Sequence, residues 1–240
     1  LIPVLIGQVK GMLVYESIQR EYEIVHNFLS TQNTFFRTLW IPASTKYSFT
    51  SNNHPLVSAD YLFKTTDIDK IWANIADRNL VFRLQNLSIK YIIVPYDFNQ
   101  QMLLTDRKYD EKKYQKTVKQ LFLIKDFKPL IGKFGNLVIL EVPNFKDHFR
   151  IDNNSRAKIS FKTINPSKYK IQITNVKKDD LLVFSENYDK NWVAWEENNN
   201  RNKLVSKKYS DNLNYFILPR DGNYILEVYY VPQRWVELGL

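Results

Sequence analysis

The sequence predicts an α+β protein, with an N-terminal α/β region followed by a C-terminal antiparallel β-sandwich of jelly-roll-like form. Within the first 146 residues, apolar side chains recur at helical spacing in several segments. From Ile151 onward that spacing disappears, and apolar residues such as Ile159 and Phe161 alternate with polar ones. Turn-forming residues separate these alternating segments at short intervals, which is typical of a sandwich. We therefore expect one domain at residues 1–146 and a second at residues 147–240.

The first domain is predicted to contain helices interleaved with strands. The predicted helices are Tyr15–Ser30, Asp67–Asn86 and Asp110–Phe122, because each carries an apolar face at 3.6-residue spacing. The predicted strands are Phe36–Ile41, Tyr91–Val94, Phe127–Ile131 and Leu137–Val142. Gly132–Asn136 reads GKFGN and is expected to be a hairpin turn, since no helix follows it as a nucleotide-binding loop requires. Leu1–Val14 fits a first core strand and the end of a membrane helix equally well.

Charge and cysteine content limit the classes of function. The formal net charge of the 240 residues is +9, which permits nucleic acid, anionic lipid or acidic polymers as partners. The lysines are spread along the whole chain, which favours a solvated surface over a dedicated binding patch. The absence of cysteine excludes disulfides, thiol catalysis and cysteine-based zinc sites.

The two ends of the chain are apolar, although no apolar run reaches the ~20 residues of a membrane span. The chain begins LIPVLIG, without an initial Met, and ends WVELGL. We therefore expect a segment of a longer protein, flanked by membrane helices, whose ends Leu1 and Leu240 emerge on the same side.

Residue types that could carry catalysis are present but are not arranged in a known motif. His26, His54 and His148 are scattered without metal-ligand spacing, so we expect surface or capping residues. No Gly-x-Ser-x-Gly motif occurs. Asp179–Asp180 and Glu196–Glu197 are adjacent pairs, and neighbours on a strand point to opposite faces, so neither is expected to form a carboxylate dyad. We predict no catalytic residue, metal or cofactor in this chain.

The stretch Leu181–Trp195, LLVFSENYDKNWVAW, has the strongest local signature. A buried apolar strand is followed by a polar break and by three aromatic residues, Tyr188, Trp192 and Trp195. These aromatic residues are candidates for a carbohydrate-binding platform. The alternative is that they lie in the core, as aromatic residues at strand positions mostly do.

Three phrases of the sequence resemble one family. The first is Leu181–Trp195, the second is SIKYIIVP at Ser88–Pro95, and the third is the closing segment FILPRDGNYILEVYYVPQRWVELGL. In this order they resemble the C-terminal extracytoplasmic domains of bacterial YfhO-type proteins and related GT-C-like, lipid-linked-sugar glycosyltransferases, which are multi-pass membrane proteins.

The resemblance implies a non-catalytic domain at the extracytoplasmic face of the cell membrane. The parent protein would transfer sugars from a polyprenyl-phosphate donor to a cell-envelope glycan, and this domain would bind or position the acceptor. Its partners would be the lipid bilayer, through flanking helices, and a glycan or lipid-linked sugar, but not nucleic acid. Arg234 and Trp235 would lie at the membrane interface as the sandwich leads into a membrane helix.

Two other classes remain open from the sequence. One is a non-enzymatic carbohydrate-binding or adhesion module on the cell surface. The other is a basic nucleic-acid-binding protein, for which Lys203–Tyr209 offers a weak alternation of basic and aromatic residues.

Overall fold

The computed structural model describes residues 19–96, 110–132, 134–197 and 199–233. Leu1–Val14 and the two chain ends, on which several expectations above depend, lie outside the described residues. The described part of the chain forms five α-helices and three β-sheets. A mixed sheet with its helices comes first and two antiparallel sheets follow, so the predicted fold class is confirmed.

The first part is built on a five-stranded mixed sheet with the order β2-β1-β3-β5-β4. Its strands are β1 (Arg37–Trp40), β2 (Leu56–Ser58), β3 (Ile89–Val94), β4 (Lys128–Pro129) and β5 (Val138–Glu141). Strand β1 pairs in parallel with β2 and β3, whereas β5 pairs antiparallel with β3 and β4. The antiparallel β4–β5 pair, with Gly135 at φ +62° in the connection, agrees with the hairpin predicted at Gly132–Asn136.

The helices of the first part are α1 (Arg20–Ser30), α2 (Ala59–Leu62), α3 (Ile68–Ile75), α4 (Leu80–Asn86) and α5 (Glu111–Phe122). Two of these helices begin at a capping aspartate, since the Asp67 side chain accepts from the amide of Asp69 and the Asp110 side chain from that of Lys113. The helical region predicted over Asp67–Asn86 contains two helices. It is divided into α3 and α4, because the Asp77 carboxylate accepts from the Asn79 amide and forms a local turn there.

The helices cover both faces of the mixed sheet. Apolar residues of α3, α4 and α5 share one core with alternate residues of β3, such as Ile92. On the opposite face, Tyr22 and Val25 of α1 pack with Trp40 and Ile93. The near-continuous apolar sequence of β3 follows from this double coverage.

The second part is a sandwich of two antiparallel sheets. Its strands are β6 (Phe149–Ile151), β7 (Lys158–Asn165), β8 (Lys168–Val176), β9 (Leu181–Asn187), β10 (Trp192–Glu196), β11 (Asn199–Val205), β12 (Lys207–Lys208), β13 (Leu213–Ile217) and β14 (Gly222–Tyr230). The larger sheet has the order β11-β10-β14-β8-β7 and the smaller has β12-β13-β9-β6. Ile171 and Leu226 of the larger sheet share one core with Phe184 and Phe216 of the smaller.

The alternation read from the sequence matches the faces of these strands. In β14, Tyr224, Leu226 and Val228 face the core, and their neighbours face outward. The last strand of the mixed sheet ends at Glu141 and the first strand of the sandwich begins at Phe149. The boundary expected after residue 146 falls between these two strands.

Candidate functional site

The three aromatic residues predicted as a carbohydrate platform do not share a surface. Trp192 is 7% exposed and its ring packs edge-on against Phe184 in the core, with 4.8 Å between centroids. Trp195, three residues along the same strand, lies on the opposite face beside Tyr229. Tyr188 is half-buried in the turn before β10, where its amide donates to the Asn212 carbonyl. The position of Trp192 fits the core interpretation, and the three rings cannot stack on one sugar.

The pair Glu196–Glu197 differs from the expectation of opposite faces. Strand β10 ends at Glu196 and Glu197 lies in the following turn, so the strict alternation of a strand no longer applies. Both side chains line one cleft at the end of the larger sheet. Asp180, of the other acidic pair, is buried in the turn before β9, where it accepts from the amide of Lys177 and from the side chain of Asn154.

We call the cleft that contains Glu196 and Glu197 the distal cleft. It has a volume of about 380 Å³. Its lining residues are Gln172, Ile173, Glu196, Glu197, Arg220, Asn223, Tyr224 and Ile225. The middle of β8, the end of β10, the start of β14 and the turn before β14 bring these residues together. The volume lies in the ~300–1,000 Å³ range of small-ligand sites.

Each carboxylate of the distal cleft has a cationic partner. The Arg220 guanidinium donates from Nε and Nη2 to the two carboxylate oxygens of Glu196, and it lies 4.3 Å from the centre of the Tyr224 ring. The hydrogen bonds to Glu196 raise the pKa of Arg220, and burial raises the pKa of Tyr224 to about 12. The Lys170 ammonium pairs with Glu197. The four charges therefore cancel in sum.

A second polar cluster lies where the two parts of the molecule meet. We call it the junction and define it by Arg37, Ser88, His148, Ser185 and Glu186. Arg37 of β1 donates to the backbone carbonyl of Ser185 at 2.9 Å and to its hydroxyl at 2.8 Å. Arg37 also donates to the carbonyl of Leu87 and pairs with the Glu186 carboxylate. One side chain of the first part thus holds the end of β9 in the second.

Other contacts cross the same boundary. The Ser88 hydroxyl donates to that of Ser185 at 2.9 Å, and the Asn86 amide donates to Asp211. The Phe35 ring stacks on His148 with 4.0 Å between centroids. Hydrogen bonds and ring stacking thus connect the two parts.

His148 and Ser185 resemble a base and a nucleophile but are buried. The Ser185 hydroxyl oxygen accepts from Arg37 and Ser88, and it lies 2.7 Å from His148 Nδ1. Burial, and secondly the charge of Arg37, lowers the pKa of His148 well below its usual value. Because both side chains are at most 1% exposed, substrate cannot reach the pair.

The expectation that the histidines are surface or capping residues is wrong for His148 and for His54. His54 is also buried, and its Nε2 lies 3.1 Å from the Thr34 carbonyl. His26, which is half-buried, lies with Nε2 2.8 Å from the Tyr47 carbonyl. Across the described ranges, no three His, Cys, Asp or Glu side chains cluster as metal ligands would.

The distal cleft and the junction lie at opposite ends of the sandwich. Tyr169 of β8 contacts His148 with 5.1 Å between ring centroids, which places it at the junction end. Ile173, four residues farther along β8, lines the distal cleft. At 3.3 Å per residue the two positions are roughly 13 Å apart. The start of β14 is at the cleft end, and Tyr230, at its other end, pairs with Trp192.

The residues that form these two sites gave weak signals in the sequence. Arg37 is the charged residue of a mostly apolar predicted strand, and Ser185–Glu186 continues a strand beyond its apolar run. Each is the kind of charged or polar residue that requires a partner when buried. Glu196–Glu197 and the turn at Arg220 are 24 residues apart, so nothing local indicates that they meet.

The residues predicted at the membrane interface, Arg234 and Trp235, lie outside the described residues. Within the described ranges, no helix has the length and apolar character needed to cross a membrane. Comparisons of the chain with protein-family models, with curated proteins and with solved structures give no match.

Proposed function

We propose that the chain is the extracytoplasmic domain of a multi-pass membrane protein of cell-envelope glycan assembly. The parent protein transfers sugars from a polyprenyl-phosphate donor, and this domain binds or positions the acceptor without catalytic residues of its own. The observation that supports the proposal is the order of the parts. A mixed-sheet α/β part precedes an antiparallel two-sheet sandwich, as the resemblance to YfhO-type proteins implies.

The junction is consistent with a positioning role. Two parts of a chain that meet through a small polar interface are expected to move relative to each other. Here Arg37, which is 6% exposed, connects a strand of one part to a strand of the other. A domain that holds an acceptor at a fixed distance from a membrane-embedded active site needs such a fixed orientation.

The location can be tested with reporter insertions in the complete native gene. An insertion in the exposed turn at Lys178–Asp179 should leave the folded domain intact. We expect an inserted alkaline phosphatase to be active and a green fluorescent protein inserted at the same place to be dark. The opposite pattern would place the domain in the cytoplasm and overturn the proposal.

The role in glycan assembly needs a separate measurement. Depletion of the protein should reduce incorporation of radiolabelled sugar into envelope glycan, and complementation with the native gene should restore it. A different result is that the reporters place the domain outside the cell while sugar incorporation does not change on depletion. That result would favour the second candidate, a non-enzymatic surface carbohydrate-binding or adhesion module. The distal cleft is the observation that favours this second candidate.

A further inference from the structure

The chemistry of the distal cleft defines the kind of ligand that it can hold. We propose that the cleft binds a neutral, polyhydroxylated ligand, namely one or two residues of a glycan chain. This inference deepens the proposed function and rests on it for the biological identity of the glycan.

The charges of the cleft favour a neutral ligand. Glu196 is paired with Arg220, and Glu197 is paired with Lys170. A phosphate or sulfate group would meet no net positive charge in the cleft, although the whole chain carries a net charge of +9. A cationic ligand would compete with the arginine and the lysine already present. A hydroxyl group meets neither difficulty, since it can donate to a carboxylate and accept from a guanidinium.

The polar groups of the cleft are held in place before a ligand binds. The side-chain oxygen of Asn223 accepts a hydrogen bond from the backbone amide of Asn175 at 2.8 Å. This bond orients the side-chain NH₂ group of Asn223 as a donor. Arg220 is held by two hydrogen bonds to Glu196 and by the Tyr224 ring beneath it. Groups fixed in this way lose little conformational entropy on binding.

The cleft also offers acceptors and donors on flat, exposed side chains. Gln172 and Asn223 are exposed amides, each with one oxygen and one NH₂ group, and Glu197 is an exposed carboxylate. Ile225, which is half-buried, supplies apolar surface beside them. Alternating polar and apolar surface suits a sugar ring, which has hydroxyl groups around its edge and C–H groups on its faces.

The position of the cleft allows access by a polymer. It lies at the end of the sandwich away from the junction, roughly 13 Å along β8 from Tyr169. A glycan chain could therefore enter the cleft without contacting the α/β part.

The experiment uses the purified 240-residue chain labelled with ¹⁵N and titrated in an NMR spectrometer. The neutral probes are cellotetraose and chitotetraose, and the anionic probe is a heparin tetrasaccharide. We expect a neutral probe at millimolar concentration to shift the amide signals of Gln172, Asn223 and Ile225, while signals of β9 at the junction stay unchanged. No shift at the cleft with either neutral probe, or shifts there with the heparin tetrasaccharide alone, would overturn the proposal.

A matched pair of variants assigns the binding to the cleft. Glu197→Ala removes a cleft carboxylate, and Glu227→Ala removes a carboxylate of the same sheet that pairs with Lys168 outside the cleft. We expect about tenfold weaker binding for Glu197→Ala, the effect of one lost hydrogen bond to a charged group, and no change for Glu227→Ala. Equal affinities in the two variants would overturn the assignment.

The titration of the cleft and the reporter insertions can fail independently of each other. If the reporter insertions place the domain outside the cell and the cleft signals do not shift, only the cleft assignment fails. If the cleft binds a neutral probe but the reporters place the domain in the cytoplasm, the proposed function fails and the ligand class stands.

Discussion

The junction and the distal cleft both contain an arginine paired with a glutamate, and the two pairs differ in what surrounds them. At the junction the side chains of Arg37 and Glu186 are 7% and 34% exposed, and Arg37 also donates to two backbone carbonyls. At the cleft the side chains of Arg220 and Glu196 are 49% and 16% exposed. The junction arginine is nearly buried and donates to four protein oxygen atoms, whereas the cleft arginine remains in contact with solvent. The first arrangement holds two parts together, and the second leaves polar groups available to a ligand.

The largest expected effect is that of Arg37→Met on folding stability. The substitution keeps much of the apolar length of the side chain but leaves Glu186 unpaired and the carbonyls of Leu87 and Ser185 without their donor. Breaking a largely buried pair by removing one partner costs about 3–5 kcal/mol. Urea unfolding monitored by tryptophan fluorescence should show this loss. A loss below about 1 kcal/mol would contradict the role assigned to the junction.

The second prediction concerns pH. Because the pKa of His148 is lowered in the folded state, the unfolded chain binds a proton more readily than the folded chain. The contribution of His148 to the free energy of unfolding is therefore complete above its unfolded pKa of about 6.5. It is lost as the pH falls towards the folded pKa, by up to about 1.4 kcal/mol per pH unit.

The variant His148→Gln tests this prediction, because glutamine can hydrogen-bond to Ser185 and does not titrate. The pKa of His54 is also lowered, mainly by burial, so the wild type and the variant must be compared at each pH. We expect the unfolding free energy of the wild type to fall more steeply below about pH 6.5 than that of the variant. If the unfolding free energies of the wild type and the variant fell in parallel, His148 would be excluded as the source of the pH dependence.

The smallest expected effect is that of Arg220→Met, which is the matched substitution at the cleft. An exposed ion pair contributes about 0–1 kcal/mol, and methionine can still cover the Tyr224 ring. The urea midpoint should change little relative to Arg37→Met. A loss as large as that of Arg37→Met would show that the cleft pair is structural, and it would remove the contrast between the two sites.

The sequence predicted the parts of the fold that depend on local pattern. The alternation along β14 and the helix at Glu111–Phe122 follow from side-chain periodicity, which acts over a few residues. The short strand β2 was missed, because Leu56–Ser58 is too brief to display a period and is formed by parallel pairing with β1. Tertiary contact decides such elements.

The candidate sites depend on contacts between distant residues and were therefore not predictable from local pattern. Arg37 and Ser185 are 148 positions apart, and Glu196 meets Arg220 across 24 positions. For Trp192, the sequence left two positions open, one in a carbohydrate-binding platform and one in the core. Its position on the inner face of β10 is fixed by its pairing with Tyr230, which a single sequence does not display.

A distance measurement tests most directly whether the junction fixes the orientation of the two parts. The chain has no cysteine, so Lys112→Cys on α5 and Lys162→Cys on β7 place one spin label on an exposed, regular element of each part. Double electron–electron resonance should give one narrow distance distribution in the doubly labelled chain and a broader one when Arg37→Met is added, whereas Arg220→Met should leave it narrow. A broad distribution without either substitution would contradict the claim.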